Sequence, residues 1–345
     1  MTNMGIVSTG TWFPETYVTA KEIAEQSGMP EWVVREKLGI DRKFVADPEV
    51  HPNEMAVHAA RKAIDKAGID PLDIDVVLCT TEEWREYLLW TTAIDIAHET
   101  GAKNAWGIDI HTRCATSIAA LKLARSLMAD DPSVDTILIA GGYAISHFID
   151  FSDVNTSFLF NIGAGAGAMI VKRDWHENQV LGMHLIADGV MSRHVIVPAS
   201  GTVKHPTDQA VMDGGFKFRL VEPEAMKTRL GEVSIKNWLE CVDTALEKSG
   251  NKRDGTAYSR SDIDFFNMSL VKPSGHREML EQLGLTEEQS VYMSSIGHIG
   301  EQDAIINIEA GIEQGRLKPG DTMAVIAAGI GYIWGGAIVE WGPLA

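Results

Sequence analysis

Runs of β-branched and small apolar residues alternate along the chain with stretches whose apolar positions recur every three or four residues, so strands and helices are predicted in turn. Strand signals fall at residues 76–80, 105–110, 136–140 and 166–171, and again at 265–270, 290–294, 323–327 and 336–340. Helical spacing marks 54–67, 117–128, 275–283 and 303–314; within 117–128, Ile118, Leu121, Leu123, Ala124 and Leu127 share a stripe. Alternation of this kind predicts a layered α/β architecture. The stretch 176–215, with Pro198, Gly201, Pro206 and Gly214-Gly215, has few apolar runs long enough for core strands and reads as a connection between halves or a lid. An echo hints at duplication: Asp73-Ile74-Asp75 leads into one predicted strand, and Asp262-Ile263-Asp264 leads into another.

Composition narrows the function. The 345 residues carry 30 basic and 48 acidic side chains, a net charge of −18, which argues against nucleic acid or an anionic membrane as partner. A 45% hydrophobic, 23% charged chain is that of an ordinary folded protein. No apolar stretch reaches about 18 residues, and the first residues lack a basic segment followed by an apolar core, so a cytoplasmic protein is expected. Cys79, Cys114 and Cys241 form neither a disulfide framework nor a CxxC pair, and no metal site is indicated.

Two places carry candidate chemistry. Cys114 falls between a predicted strand and a predicted helix, where unpaired N–H groups and the helix dipole favour a thiolate and can hold an oxyanion. By position alone a small buried hydrophobe remains the alternative. In Gly297-His298-Ile299-Gly300-Glu301-Gln302-Asp303, glycines flank a histidine, and a carboxylate five positions on is placed to orient an imidazole base. The alternative is a solvated turn histidine with Asp303 as a helix cap. The run Gly163-Ala164-Gly165-Ala166-Gly167 precedes a strand rather than a helix, so it predicts close backbone packing and not a nucleotide loop.

Taken together, these segments resemble the thiolase superfamily and, within it, the β-ketoacyl-ACP synthase III family. The similarity lies in Gly5-Ile6-Val7-Ser8-Thr9-Gly10 with Pro14, in Trp32 to Gly39-Ile40, and in residues 107–123 around Cys114. It continues in Gly165-Ala166-Gly167-Ala168 and from Arg316-Leu317-Lys318-Pro319-Gly320-Asp321 to Trp334-Gly335-Gly336-Ala337. The resemblance implies a five-layered αβαβα fold of two duplicated halves, 1–174 bearing the nucleophile and 175–345 bearing the histidine and aspartate. It also implies a homodimer, acyl transfer through a Cys114 thioester, and no permanently bound cofactor. Coenzyme A or acyl carrier protein would deliver the acyl group on a phosphopantetheine arm.

Departures from the family pattern shape the expected chemistry. Most members use a Cys-His-Asn triad; here Ser269 stands at the family histidine, with His276 nearby, and His298 stands at the asparagine. The pattern G-H-x-G-x-x-D resembles the smaller Cys-His-Asp branch, some of whose members acylate hydroxyl acceptors. Decarboxylative condensation needs two neutral donors for the enolate, whereas a carboxylate-backed histidine suits proton removal from Cys114 and an acceptor. The expectation is an acyltransferase with Cys114, His298 and Asp303. A condensing synthase is the enzymatic alternative, and a silent scaffold subunit is the alternative outside catalysis.

The resemblance assigns the oxyanion hole to the N–H groups of Cys114 and Ile330, and donor binding to Trp32, Arg35, Lys37 and Ser269. One residue more separates Trp32 from Gly39-Ile40 than in the common pattern. Glu82, thirty-two residues before Cys114, is similar in spacing to the acid/base glutamate of hydroxymethylglutaryl-CoA synthases. Trp84, Tyr87, Leu88, Leu89 and Trp90 lie where the family crosses its dimer interface and lines the acyl pocket.

Overall fold

A computed structural model describes residues 2–343. The first half contains β1 (Met4–Trp12), β2 (Tyr17–Thr19), α1 (Ala20–Ser27), β3 (Arg42–Phe44), α2 (Pro52–Ala67), β4 (Val76–Cys79) and α3 (Thr92–Thr100). It continues with β5 (Trp106–Asp109), α4 (Thr116–Asp130), β6 (Thr136–Tyr143) and β7 (Gly165–Arg173). The second half holds β8 (Glu177–Ala187), β9 (Val195–Ile196), α5 (Asp208–Met212), β10 (Arg219–Leu220) and α6 (Pro223–Lys248). β11 (Phe265–Met268), α7 (Pro273–Leu283), α8 (Asp303–Glu313), β12 (Thr322–Gly329) and β13 (Ile333–Pro343) complete it.

Hydrogen bonding links nine strands in the order β5-β4-β6-β7-β1-β8-β13-β12-β11. The seam between β1 and β8 is the single pair Gly5↔Gln179, so two sheets meet edge to edge. On each side of it the pattern repeats. β1-β7-β6 and β8-β13-β12 are antiparallel runs, and β4 and β11 each add in parallel beyond them. The Asp-Ile-Asp echo does the same work in both halves. Asp75 Oδ2 accepts the N–H groups of Asp135 and Thr136 at 2.8 and 2.9 Å, and Asp264 Oδ2 accepts that of Thr322 at 2.9 Å.

α4 packs on β13, β8, β12 and β6, while α8 packs on β1, β7, β11 and β12, so each crosses to the opposite half and together they form a central helical layer. α2 and α3 cover the outer face of the first sheet, and α6 and α7 that of the second. The result is the five-layered αβαβα fold of two duplicated halves. Burial of every residue of β4 and β6 on both faces explains why their sequence shows no alternation.

Two expectations are corrected. Residues 290–294 form no strand: Ser290 makes one bridge to Phe266, after which Tyr292 and Ser294 bond through their side chains to Val271 O and Asp41. The stretch 176–215 is not irregular throughout, because β8 occupies 177–187 at the centre of the molecule. Only Val180, Gly182 and Met183 of β8 are buried, and His184 splits its apolar residues into two short runs. No helix is long and apolar enough to cross a membrane among the described residues.

Candidate active site

The central layer brings two helix starts together, and each carries one half of the candidate chemistry. Chain direction reverses from β5 into α4 through Arg113, whose φ of 56° lies in the left-handed region that non-glycine residues seldom occupy. Thr116 Oγ1 locks this elbow by accepting the N–H of Thr112 at 2.7 Å and donating to Arg113 O at 2.6 Å. Cys114 is thereby held just ahead of α4's first turn, 7% exposed.

His298 lies on the loop before α8, and its backbone is gripped by the segment that leads into β7. Its N–H donates to Asn161 O and its carbonyl accepts the N–H of Gly163, both at 2.8 Å. Its ring bridges two partners: Nε2 is 3.2 Å from Cys114 Sγ, and Nδ1 is 2.6 Å from Asp303 Oδ2. Asp303 is 1% exposed and accepts two further N–H groups, from Ile299 on Oδ1 and from Leu270 on Oδ2, each at 2.7 Å. An acceptor-only carboxylate fixes the proton on Nδ1 and leaves Nε2 facing the sulfur as acceptor. Burial works against a charged imidazole here, but the Asp303 carboxylate and Cys114 outweigh it and raise the His298 pKa well above its ordinary value.

Glu82, at the end of β4, reaches the same place. It is 5% exposed, and its Oε2 lies 3.4 Å from Arg113 Nη1. Burial raises its pKa to about 7, against the opposing pull of Arg113. Two further groups of this pocket went unassigned in the sequence: Glu301, fully buried between His298 and Asp303, and Tyr143, at the end of β6. Burial first and the Glu82 charge second push both well above their ordinary ranges. The signal for Glu301 was its place inside the Gly297–Asp303 cluster.

Ile330 follows β12, and the neighbouring Gly329 explains how that strand approaches the elbow. A Cβ on Gly329 would lie 2.7 Å from Arg113 Cβ, 2.8 Å from Thr112 O and 3.0 Å from Cys114 N. Ser269 is buried just past β11, one residue before the Leu270 N–H that holds Asp303. His276 does not enter this pocket. It sits in α7 between Phe266 and Tyr292 and lines a separate cleft of about 640 Å³.

The extra residue after Trp32 is absorbed by a π-helical turn, Val33–Lys37, closed by Leu38 N–H to Val33 O at 3.0 Å. Trp32 stands 53% exposed on it. Arg35 there is engaged by Glu31 at 2.9 Å and Asp41 at 3.0 Å, and with Lys37 it lines the cleft that holds His276. Trp84 packs against His147, Phe148 and Phe216, whereas Tyr87, Leu88 and Leu89 project outward.

Duplicated αβαβα layers with a cysteine and a histidine at facing helix starts define a thiolase-fold protein. Two family models match the chain: 3-oxoacyl-[acyl-carrier-protein] synthase III over residues 108–189, and the C-terminal part of that synthase over 254–341. Each half of the chain thus resembles the corresponding part of the 3-oxoacyl-[acyl-carrier-protein] synthase III family. It is 29% identical over 350 residues to the β-ketoacyl-[acyl-carrier-protein] synthase III of Campylobacter fetus, covering 99% of each chain. The synthase III of a Sulfurovum species is also 29% identical, over 97% of this chain. Among solved structures, the synthase III of Pseudomonas aeruginosa superposes with a TM-score of 0.82 at 20% identity, covering 99% of each chain. OleA of Xanthomonas campestris superposes at 0.80 and 20%, covering 98% of each, and these likenesses concern the fold.

Proposed function

We propose that the protein is an acyltransferase of the β-ketoacyl-ACP synthase III type. It takes an acyl group from a coenzyme A or acyl-carrier-protein thioester onto Cys114 and passes it to an acceptor. The observation that carries this reading is the unbroken relay from Cys114 Sγ to His298 Nε2, 3.2 Å, and from His298 Nδ1 to Asp303, 2.6 Å. His298 Nε2 removes the thiol proton, and Asp303 stabilises the resulting imidazolium. The thiolate attacks the donor's carbonyl, and the N–H groups of Cys114 and Ile330 receive the oxyanion. Collapse breaks the donor C–S bond, and the departing thiolate takes the proton from His298.

In the second half-reaction His298 accepts a proton from a hydroxyl or amine acceptor, which attacks the acyl carbon and releases Cys114. Neither half calls for a resident cofactor. Trp32 offers an exposed indole for the donor's adenine, with Lys37 and Arg35 as cations near it; Arg35 must then loosen from Glu31 and Asp41. Outward-facing Tyr87, Leu88 and Leu89 suit a contact with a second copy of the chain. A decarboxylative condensation is the second reading, favoured by the names of the Campylobacter and Sulfurovum relatives.

Intact-protein mass spectrometry after incubation with short acyl-CoAs tests the proposal. An acyl adduct on the wild type that is absent from Cys114→Ala is expected, and no adduct with any donor leaves only a scaffold role. Release of the acyl group to alcohols or amines selects transfer to oxygen or nitrogen. A carbon–carbon product with malonyl-ACP selects condensation.

A further inference from the structure

We propose that Lys43, at the centre of β3, is a positioning residue for the proton-transfer base: its ε-amine anchors the strap 161–163 that grips the backbone of His298. The inference rests on the reading of His298 as the base that serves Cys114.

β3 lies wedged between the two segments that meet at His298. On one side, the N–H groups of Asp41 and Arg42 donate to Ser294 O at 2.8 and 3.2 Å, and that of Phe44 donates to Ile296 O at 3.0 Å. On the other, Phe44 O accepts the N–H of Ala164 at 2.9 Å, where the strap runs into β7. The strap itself closes on His298 through Asn161 O and the Gly163 N–H, with Ile162 paired alongside His298 as a single parallel bridge. Lys43 reaches across to it. Its Nζ donates to Ile162 O at 2.7 Å, the carbonyl midway between the two backbone groups that hold His298. Gly297 lets the lysine pass: a Cβ there would stand 2.7 Å from Lys43 Cβ and 3.0 Å from Asn161 O, and its φ of 94° suits glycine.

Packing alone does not account for an amine at this place. Lys43 is 1% exposed, and its Nζ meets Ile162 O and the ring of Phe151, whose centroid is 5.1 Å away. Burial is what lowers its amine to about 7, as befits a pocket without a counter-charge among the described residues. A methionine of similar length would fill the same channel without drying out a polar group. What the amine adds is a fixed place for the Ile162 carbonyl. Neutral or protonated, it keeps an N–H to donate, so the anchor holds on both sides of its titration.

The base has little slack. His298 Nε2 has to stay near Cys114 Sγ, at 3.2 Å, while Nδ1 stays on Asp303 Oδ2, at 2.6 Å. Where the ring sits is set by where its backbone is gripped. A strap displaced by about 1 Å loosens the sulfur contact, and a misplacement of that size costs about 10²-fold in rate.

Lys43→Met in the full chain separates anchoring from packing. Acetylation of Cys114 by acetyl-CoA, followed in single turnovers, is expected to slow by about 10²-fold with the half-saturating donor concentration unchanged. The urea midpoint is expected to hold or rise, because a dry amine has gone. A rate that does not fall, or one that falls together with the midpoint, overturns the proposal. The signature at the base is the His298 Nδ1 proton, which its short bond to Asp303 moves downfield in proton magnetic resonance. That signal is expected to shift or to exchange faster in Lys43→Met, and an unmoved signal overturns the anchor.

If Lys43→Met does not fold, the wild type decides alone. With isotopically labelled lysine, a Lys43 Nζ signal protected from solvent exchange is expected at about pH 6, where the amine is protonated, and its absence overturns the proposal. Failure of wild-type Cys114 to acetylate overturns the proposed function instead, and the magnetic-resonance readings still decide the anchor.

Discussion

Asp303 makes three hydrogen bonds, and only one goes to the imidazole. It therefore both orients His298 and ties the loop after β11 to the start of α8. Asp303→Asn is expected to keep the fold and part of the acylation, because an amide can accept two of those bonds. It should slow turnover by about 10²- to 10⁴-fold through loss of the imidazolium's counter-charge. Single-turnover acylation and steady-state transfer, measured on the same preparation, check this; equal rates in mutant and wild type remove Asp303 from the mechanism. Cys79 and Cys241 act differently from Cys114. Burial pushes both thiols up to about 12, so alkylation at neutral pH is expected at neither.

At the scale of elements, the site is a meeting of helix starts with the ends of β4, β11 and β12. α4 and α8 begin beside each other because duplication puts the same strand-to-helix crossing in each half. The approach of β12 to the elbow depends on Gly329 having no side chain. Gly329→Ala would press backbone atoms of Thr112 and Cys114, which cannot swing aside as a flexible side chain would. A loss of about 1–3 kcal/mol in stability is expected from such overpacking. A larger fractional loss in Cys114 acylation should accompany it, since the oxyanion donors move with the backbone. Urea unfolding and acylation kinetics on this variant check both parts.

The whole molecule carries the electrostatic cost of its buried site. Glu82 ionises at 4.5 in its ordinary state and is raised to about 7 in the fold by burial. Its contribution to stability is therefore full below about pH 4.5 and is lost as pH rises through 7. Glu82→Gln should remove that slope, on the order of 3 kcal/mol at most. Unfolding free energies on either side of the window test it, and parallel pH profiles for the two proteins contradict it. Association is expected at the same scale: Leu88 is 91% exposed and Leu89 fully so. A Leu88→Glu, Leu89→Glu double variant should lower the sedimentation mass of a dimer to that of one chain. A monomeric wild type at micromolar concentration sinks this interface.

The sequence by itself determined the layered α/β class, because strands buried on both faces and amphipathic helices leave distinct periodicities. It also singled out Cys114, His298 and Asp303, whose neighbours mark turns between elements. The central strand β8 was concealed, since His184 splits it into two short apolar runs and its burial comes from packing against β13 and β1. Residues 290–294 misled in the opposite sense, as their side chains bond across to Asp41 and Val271 in place of a ladder. Only the tertiary structure buried Glu301 in the same pocket as Glu82, 219 positions away in the chain. Local pattern reports which face of an element is dry; which charges share a dry space is fixed only when distant elements close around it.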